Sequence, residues 1–176
     1  MPELYLKARE LVLGGHVAQA CELQAAICRI IEQMCSGQCN MYAMIKEILR
    51  QRLQDEGYEV QDFGCYTPDP VEYPEIAFKV AGEVAARPQE YEFGILCCGT
   101  GIGVSIAANK VKGVRAALCA DCFSARMAKE HNNANIITFG GRTTGRELAW
   151  EMVKAFMGAE FQHGIHEPRV EALTKA

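Results

Sequence analysis

A chain of 176 residues is long enough to bury one continuous core, and nothing in its length demands a second domain. Hydrophobic residues make up 49% and charged residues 23%, and the net charge of −4 argues against nucleic acid or an acidic membrane surface as partner. No apolar run approaches the ~20 residues of a membrane span, and the opening MPELYLKARE has no apolar stretch ahead of a cleavage site, so the expected location is cytoplasmic. Nine cysteines, an odd number without an export signal, read as reduced thiols. Cys35 with Cys39, and Cys119 with Cys122, have no histidines at zinc-finger spacing, so no metal is expected.

In chain order, three helices come first. One runs from Leu4 to Leu13 and ends at Gly14-Gly15. The second carries Ala20, Leu23, Ile27, Ile30 and Met34 on one face, and the third has Met41, Ile45, Ile48 and Leu49 apolar up to Gly57. The pattern then alternates. Strands are expected at Tyr58 to Phe63, Phe93 to Cys97, Val114 to Cys119 and Asn135 to Phe139. Helices are expected at Pro74 to Arg87, Gly103 to Lys110, Cys122 to His131 and Arg146 to Met157. Short apolar strands separated by helices predict an α/β fold, a three-layer, Rossmann-like parallel sheet with helices on both faces. The expected division is a helical segment, residues 1–56, and an α/β domain, residues 57–176.

Cys97-Cys98-Gly99-Thr100-Gly101-Ile102-Gly103 joins a strand end to a helix start. Glycines let the backbone approach a ligand closely, and a helix N-terminus favours negative charge beside it. The site therefore suits an anionic ligand, or an anionic intermediate formed beside a cysteine base. A dinucleotide is the competing ligand, and Asp121 lies twenty residues beyond Gly101, near the end of the next strand. Against it, Val104 stands where the third glycine of that fingerprint belongs, which close helix–strand packing requires.

The remaining polar candidates fall at element ends or in the tail: His131-Asn132, Arg142, His163, His166 and Arg169. Arginine forks suit phosphate, so Arg142 and Arg169 converging on the thiol and the glycine loop would make a sugar-phosphate site. Taken singly, His131 also reads as a helix C-terminal cap and the arginines as surface charges.

From Gly57 to about Lys175 the sequence resembles the type B ribose-5-phosphate isomerase and galactose-6-phosphate isomerase family. The matching stretches are Gly57-Tyr58-Glu59-Val60, Asp62-Phe63-Gly64, Glu72-Tyr73-Pro74, Gly94-Ile95-Leu96, Cys98 to Gly103, Ser105 to Lys110, Arg115-Ala116-Ala117, Ser124-Ala125, His131-Asn132, Ala134-Asn135, Gly140-Gly141-Arg142 and Arg169-Val170. The resemblance implies an aldose–ketose isomerase without metal or organic cofactor, with ribose 5-phosphate and ribulose 5-phosphate as the expected pair. Cys98 would move a proton between C2 and C1 through an enediolate facing the loop of Gly99, Gly101, Ile102 and Gly103. Thr100 and His131 would assist ring opening, Asn132 would orient a hydroxyl, and Arg142 and Arg169 would hold the phosphate. It also implies a homodimer, or a higher homo-oligomer, whose site lies between subunits, with His131-Asn132 supplied by the neighbour.

Two departures stand beside the match. Family members begin with a strand and an Asp-His-x-Gly loop, which residues 1–56 lack, and one phosphate arginine falls on Ile165. Residues from about Leu4 to Arg52 instead resemble C-terminal helices of the dihydrodipicolinate synthase and N-acetylneuraminate lyase family, clearest in Tyr5 to Leu13 and Asn40 to Lys46. No function is carried over from that second resemblance. With the first strand missing, the expectation is that the sheet re-closes, the Tyr58 strand moving beside the Phe93 strand, or borrows a strand. The function expected is a sugar-phosphate isomerase, impaired by that loss; the alternative is a silent α/β domain that keeps phosphate binding, with a helical oligomerisation segment.

Overall fold

The computed structural model describes residues 2–35, 41–64, 66 and 71–175, with side chains described at 6–26, 43–64, 66 and 71–175. Two compact units emerge, Met1–Met41 and Tyr42–Ala176. In the first, α1 (Pro2–Leu13) packs against α2 (Val17–Cys35). Gly15, at φ +78°, ends α1 in a left-handed turn. The amide of His16 donates to the Leu11 carbonyl and that of Gly15 to Val12, satisfying two acceptors of the helix's last turn. Ile27, Ile30, Met34, Cys35 and Cys39, named above, lie outside the described side chains.

The second unit contains α3 (Met41–Asp55), α4 (Tyr73–Ala86), β1 (Gly94–Cys98), α5 (Ile102–Ala108), β2 (Ala116–Leu118), α6 (Cys122–Glu130), β3 (Ile136–Gly140), α7 (Arg146–Met157), a 3₁₀ turn (Gly164–His166) and α8 (Glu167–Lys175). The three strands form a parallel sheet in the order β1-β3-β2, with Gly94 and Ala116 both opposite Ile136 and Cys98 opposite Gly140. β3 is buried along its whole length, as a central parallel strand must be when helices cover both faces. Strand alternation divides its side chains: Ile137 and Phe139 face the core made by α3, α6 and α7, while Ile136 and Leu96 face the core made by α4 and α5.

The third helix, grouped in the sequence with the N-terminal helices, packs within the α/β unit. Ile45, Leu49 and Leu53 are each 6% exposed or less and share a core with Trp150, Val153 and Phe156 of α7. Burying such side chains contributes roughly 1.5–3 kcal/mol apiece. Arg52 adds a two-pronged bond to Glu147, at 3.0 and 2.9 Å.

The Tyr58 to Phe63 segment corrects the strand expectation. It joins no ladder, and among the described residues β1 remains an edge strand, so the sheet has not re-closed around it. Side chains hold the segment instead. Tyr58 meets Phe93 edge-on, Phe63 meets Tyr91 edge-on, and Asp62 pairs with Lys46 at 2.8 Å while accepting the Gly64 amide. The other strands and helices expected after Gly57 form where the pattern places them, with ends displaced by a residue or two, while the 3₁₀ turn and α8 form in the tail, for which the pattern predicts no element. Among the described residues no helix is long and apolar enough to cross a membrane.

Candidate active site

Strand alternation sends the two adjacent cysteines to opposite sides of the sheet. Cys97 packs against the α3–α6–α7 core, and burial, with Cys98 beside it, pushes its thiol up to about 12. Cys98 lies on the other face at the mouth of the glycine turn, where its Sγ accepts the Gly101 amide at 3.2 Å. A thiol with a pKa near 12 carries almost no thiolate at neutral pH, so of the two only Cys98 is placed to act on a ligand.

The loop's shape follows from close packing. Gly101 takes φ +78°, and a Cβ there would lie 2.7 Å from the Phe139 carbonyl carbon and 2.6 Å from Leu118 Cδ1. Gly140 faces it from β3, where a Cβ would meet the Thr100 backbone at 2.7 Å. Gly103 lies against the Tyr73 ring. Glycine is thus required twice over at Gly101, for its left-handed backbone and for the approach of a neighbouring main chain. The buried Thr138 hydroxyl donates to the Gly101 carbonyl at 3.2 Å. Sequence reasoning missed Thr138 and Tyr73 as supports of this turn; the one signal for Thr138 was a lone hydroxyl in the apolar strand Ile136–Gly140.

The turn after β3 closes over the loop. The Gly141 amide donates to the Cys98 carbonyl at 2.8 Å and the Arg142 amide to the Gly99 carbonyl at 3.1 Å. Arg142 is thereby anchored beside Gly99 with its side chain exposed. Thr100 is exposed, and its Oγ1 accepts the Ile102 amide at 3.5 Å. Asp121, weighed above as a ribose ligand, caps α6: it accepts the Ser124 amide and hydroxyl, both at 2.7 Å, and these bonds hold its carboxyl below the usual range. Cys119 is a core side chain whose thiol is pushed up to about 11, chiefly by burial.

His131 and Arg169 gather elsewhere. His131 caps the C-terminus of α6, its ring stacked on His166 with centroids 4.2 Å apart and planes 9° apart. Arg169 stands on α8, close enough to help lower the His166 pKa, and Asn132, Ile165 and Arg169 are exposed. The expected convergence of Arg142 and Arg169 on Cys98 therefore does not occur within one chain. The reason is topological. α6 starts beyond the carboxyl end of β2 and runs back to Asn135, whose carbonyl accepts the Gly94 amide at the strands' amino ends. Cys98 lies at their carboxyl ends, on the order of 15 Å away along a five-residue strand.

The family model for Ribose/Galactose Isomerase matches residues 37–173. Ribose-5-phosphate isomerase B of Escherichia coli K12 is 43% identical over 131 residues, covering 74% of this chain and 87% of that protein. D-erythrulose-4-phosphate isomerase of Pectobacterium atrosepticum is 42% identical over 132 residues, covering 73% and 84%. Among solved structures, ribose-5-phosphate isomerase B of Clostridium thermocellum superposes with a TM-score of 0.72 at 44% identity, covering 76% of this chain and 88% of that one. That of Mycoplasma genitalium with bound ribulose-5-phosphate gives 0.74 at 35%, covering 77% and 89%. With a match beginning ahead of α3 and running into α8, and a fold shared at this identity, the chain belongs to the ribose/galactose isomerase family.

Proposed function

We infer that the chain interconverts aldose and ketose sugar phosphates, ribose 5-phosphate and ribulose 5-phosphate being the pair we assign it. The observation that carries the reading is Cys98, held by the Gly101 amide at the mouth of a glycine turn, in a chain 43% identical over 131 residues to a ribose-5-phosphate isomerase B. In this reading the Cys98 thiolate takes the proton from C2 of the open-chain aldose, and the electron pair moves onto the C1 carbonyl oxygen, giving an enediolate. The O2 hydroxyl proton then passes to O1, the C2–O2 bond becomes the ketose carbonyl, and the proton taken from C2, or one exchanged for it from water, is delivered to C1. Backbone donors of Gly99, Gly101, Ile102 and Gly103 face the developing charge, the arrangement that lowers such a barrier most. Thr100 and His131 open the sugar ring, Asn132 orients a hydroxyl, and Arg142 and Arg169 hold the phosphate. No step calls on a metal or organic cofactor.

The site is built from two copies of the chain. Support comes from the separation of the Cys98 and His131 clusters at opposite ends of the sheet, and from an apolar surface beside the loop. Ile102 and Ile106, one turn apart on α5, are 51% and 57% exposed, and Leu118 and Phe123 are exposed with them. Residues 1–41 form a helical unit ahead of the isomerase, the part of the stretch from about Leu4 to Arg52 resembling lyase-barrel helices that lies outside the α/β unit, and the protein works in the cytoplasm. That unit stands where the family has its first strand and Asp-His-x-Gly loop, so turnover is slower than in family members that keep them.

Mixing two disabled chains tests the reaction and the assembly together. Cys98→Ala and His131→Ala should each isomerise ribose 5-phosphate at least about a hundredfold more slowly than the unmutated chain, with a residual rate still measurable. Refolded together in equal amounts, they should recover about a quarter of the unmutated sites, because half the dimers are mixed and each holds one intact site. A Cys98→Ala chain slowed by less than about a hundredfold would overturn the chemistry, and no recovery on mixing would overturn the shared site.

A further inference from the structure

The His131 ring makes no hydrogen bond in the described structure, so nothing on α6 itself fixes which way it points. What meets it is built by the tail. After α7 the chain returns to the end of α6, where Gln162 docks twice on Glu130: its amide donates to the Glu130 carbonyl and its Nε2 to Oε2, both at 2.9 Å. His163 then adopts φ +56°, ψ −143°, a conformation a non-glycine residue holds only under strain. Its ring lies 4.6 Å from Phe161 and its Nδ1 3.2 Å from Glu167, contacts that hold the strained residue in place. The single 3₁₀ turn that follows sets His166 face to face on His131. Strain of this kind persists only where the surroundings impose it, and here its product is one ring laid on another.

We propose that His166 is a positioning residue for His131: clamped by the Gln162–His166 turn, it presents an aromatic face that fixes the plane of the His131 imidazole. The proposal rests on the reading of His131 as a group that works on the sugar ring. Burial, His131 and Arg169 all disfavour charge on His166, which suits its ring to a packing role beside His131. The turn's other charged groups, Glu130 and Glu167, are engaged by Gln162 and His163.

The test compares His166→Ala with His166→Phe, which keeps a flat face but has no ring nitrogen. With ribose 5-phosphate, kcat should fall tenfold or more in His166→Ala and return to within about threefold in His166→Phe, while competitive inhibition by inorganic phosphate stays unchanged. In a His131→Ala background the His166→Ala change should cost nothing further. Equal losses in the Ala and Phe variants would mean the His166 nitrogens themselves act, and a full additional loss without His131 would mean His166 works independently; either result overturns the proposal. A readout without turnover separates this from the proposed function: the His131 ring-proton NMR signals should lose their ring-current shift in His166→Ala and keep it in His166→Phe. If the shift behaves so in a chain that isomerises nothing, the functional reading fails and the positioning stands. Unmoved His131 signals in His166→Ala refute the positioning.

Discussion

Replacing Gly101 by alanine separates two costs that other glycines of the same chain isolate. At Gly145, φ is −71° and a Cβ would meet nothing within 4 Å, so alanine there should be neutral or slightly stabilising. At Gly113, φ is +87° with only Ala85 Cβ at 4.0 Å, so alanine meets backbone strain alone, about 1–2 kcal/mol. Gly101 has a similar φ of +78° and adds contacts of 2.7 and 2.8 Å to Phe139 main-chain atoms, about 0.7 Å inside ordinary carbon–carbon contact. Phe139 lies in the central strand and cannot yield, so the loop must move. An overpacked core site costs a further 1–3 kcal/mol, which puts Gly101→Ala at about 2–5 kcal/mol in all. The displaced loop also carries the amide that Cys98 Sγ accepts, and shifts approaching 1 Å in a reacting geometry cost about a hundredfold in rate. Urea unfolding of the three variants, with isomerase rates on the folded fraction, reads both effects. If Gly101→Ala unfolds at the same urea concentration as Gly113→Ala, or turns over at the unmutated rate, the argument from close approach to Phe139 is wrong.

Three further outcomes are expected. At pH 8, iodoacetamide should modify Cys98 before Cys97, because the Cys97 thiol is raised to about 12, and mass spectrometry of the 91–110 peptides would show the reverse if the facing is misassigned. For Cys97 and Cys119 the folded pKa values, about 12 and about 11, lie above the unfolded value near 9. Their contribution to stability is complete below pH 9 and drains away as pH climbs toward 11–12; Cys97→Ala should flatten that alkaline decline in thermal scans, and an unchanged slope would contradict the burial argument. Arg169→Ala and Arg142→Ala should each weaken ribose 5-phosphate binding by about ten- to a hundredfold, from the roughly 1.5–3 kcal/mol of a charged hydrogen bond. Calorimetric titration showing unchanged affinity would move the phosphate elsewhere.

Much of this protein follows from local pattern. The alternation of short apolar strands with amphipathic helices determines an α/β unit, and strand parity alone places Cys98 rather than Cys97 at the glycine turn, because the side-chain period of two is a property of the backbone. Thr138, Tyr73 and the Gly140–Thr100 contact were not legible, since each acts across dozens of residues and carries no local signature. The Tyr58 to Phe63 segment reads as a strand by pattern, yet a strand exists only where another edge accepts its hydrogen bonds, and none among the described residues does. Likewise α3, a helix in either reading, is assigned to the α/β unit only by the core that receives Ile45, Leu49 and Leu53. Sequence names His131, Arg142 and Arg169 as candidates, but which of them share one end of the sheet depends on the direction of α6 against the strands. That direction is a consequence of parallel connection, which returns every helix to the strands' amino ends and so parts His131 from the thiol within one chain.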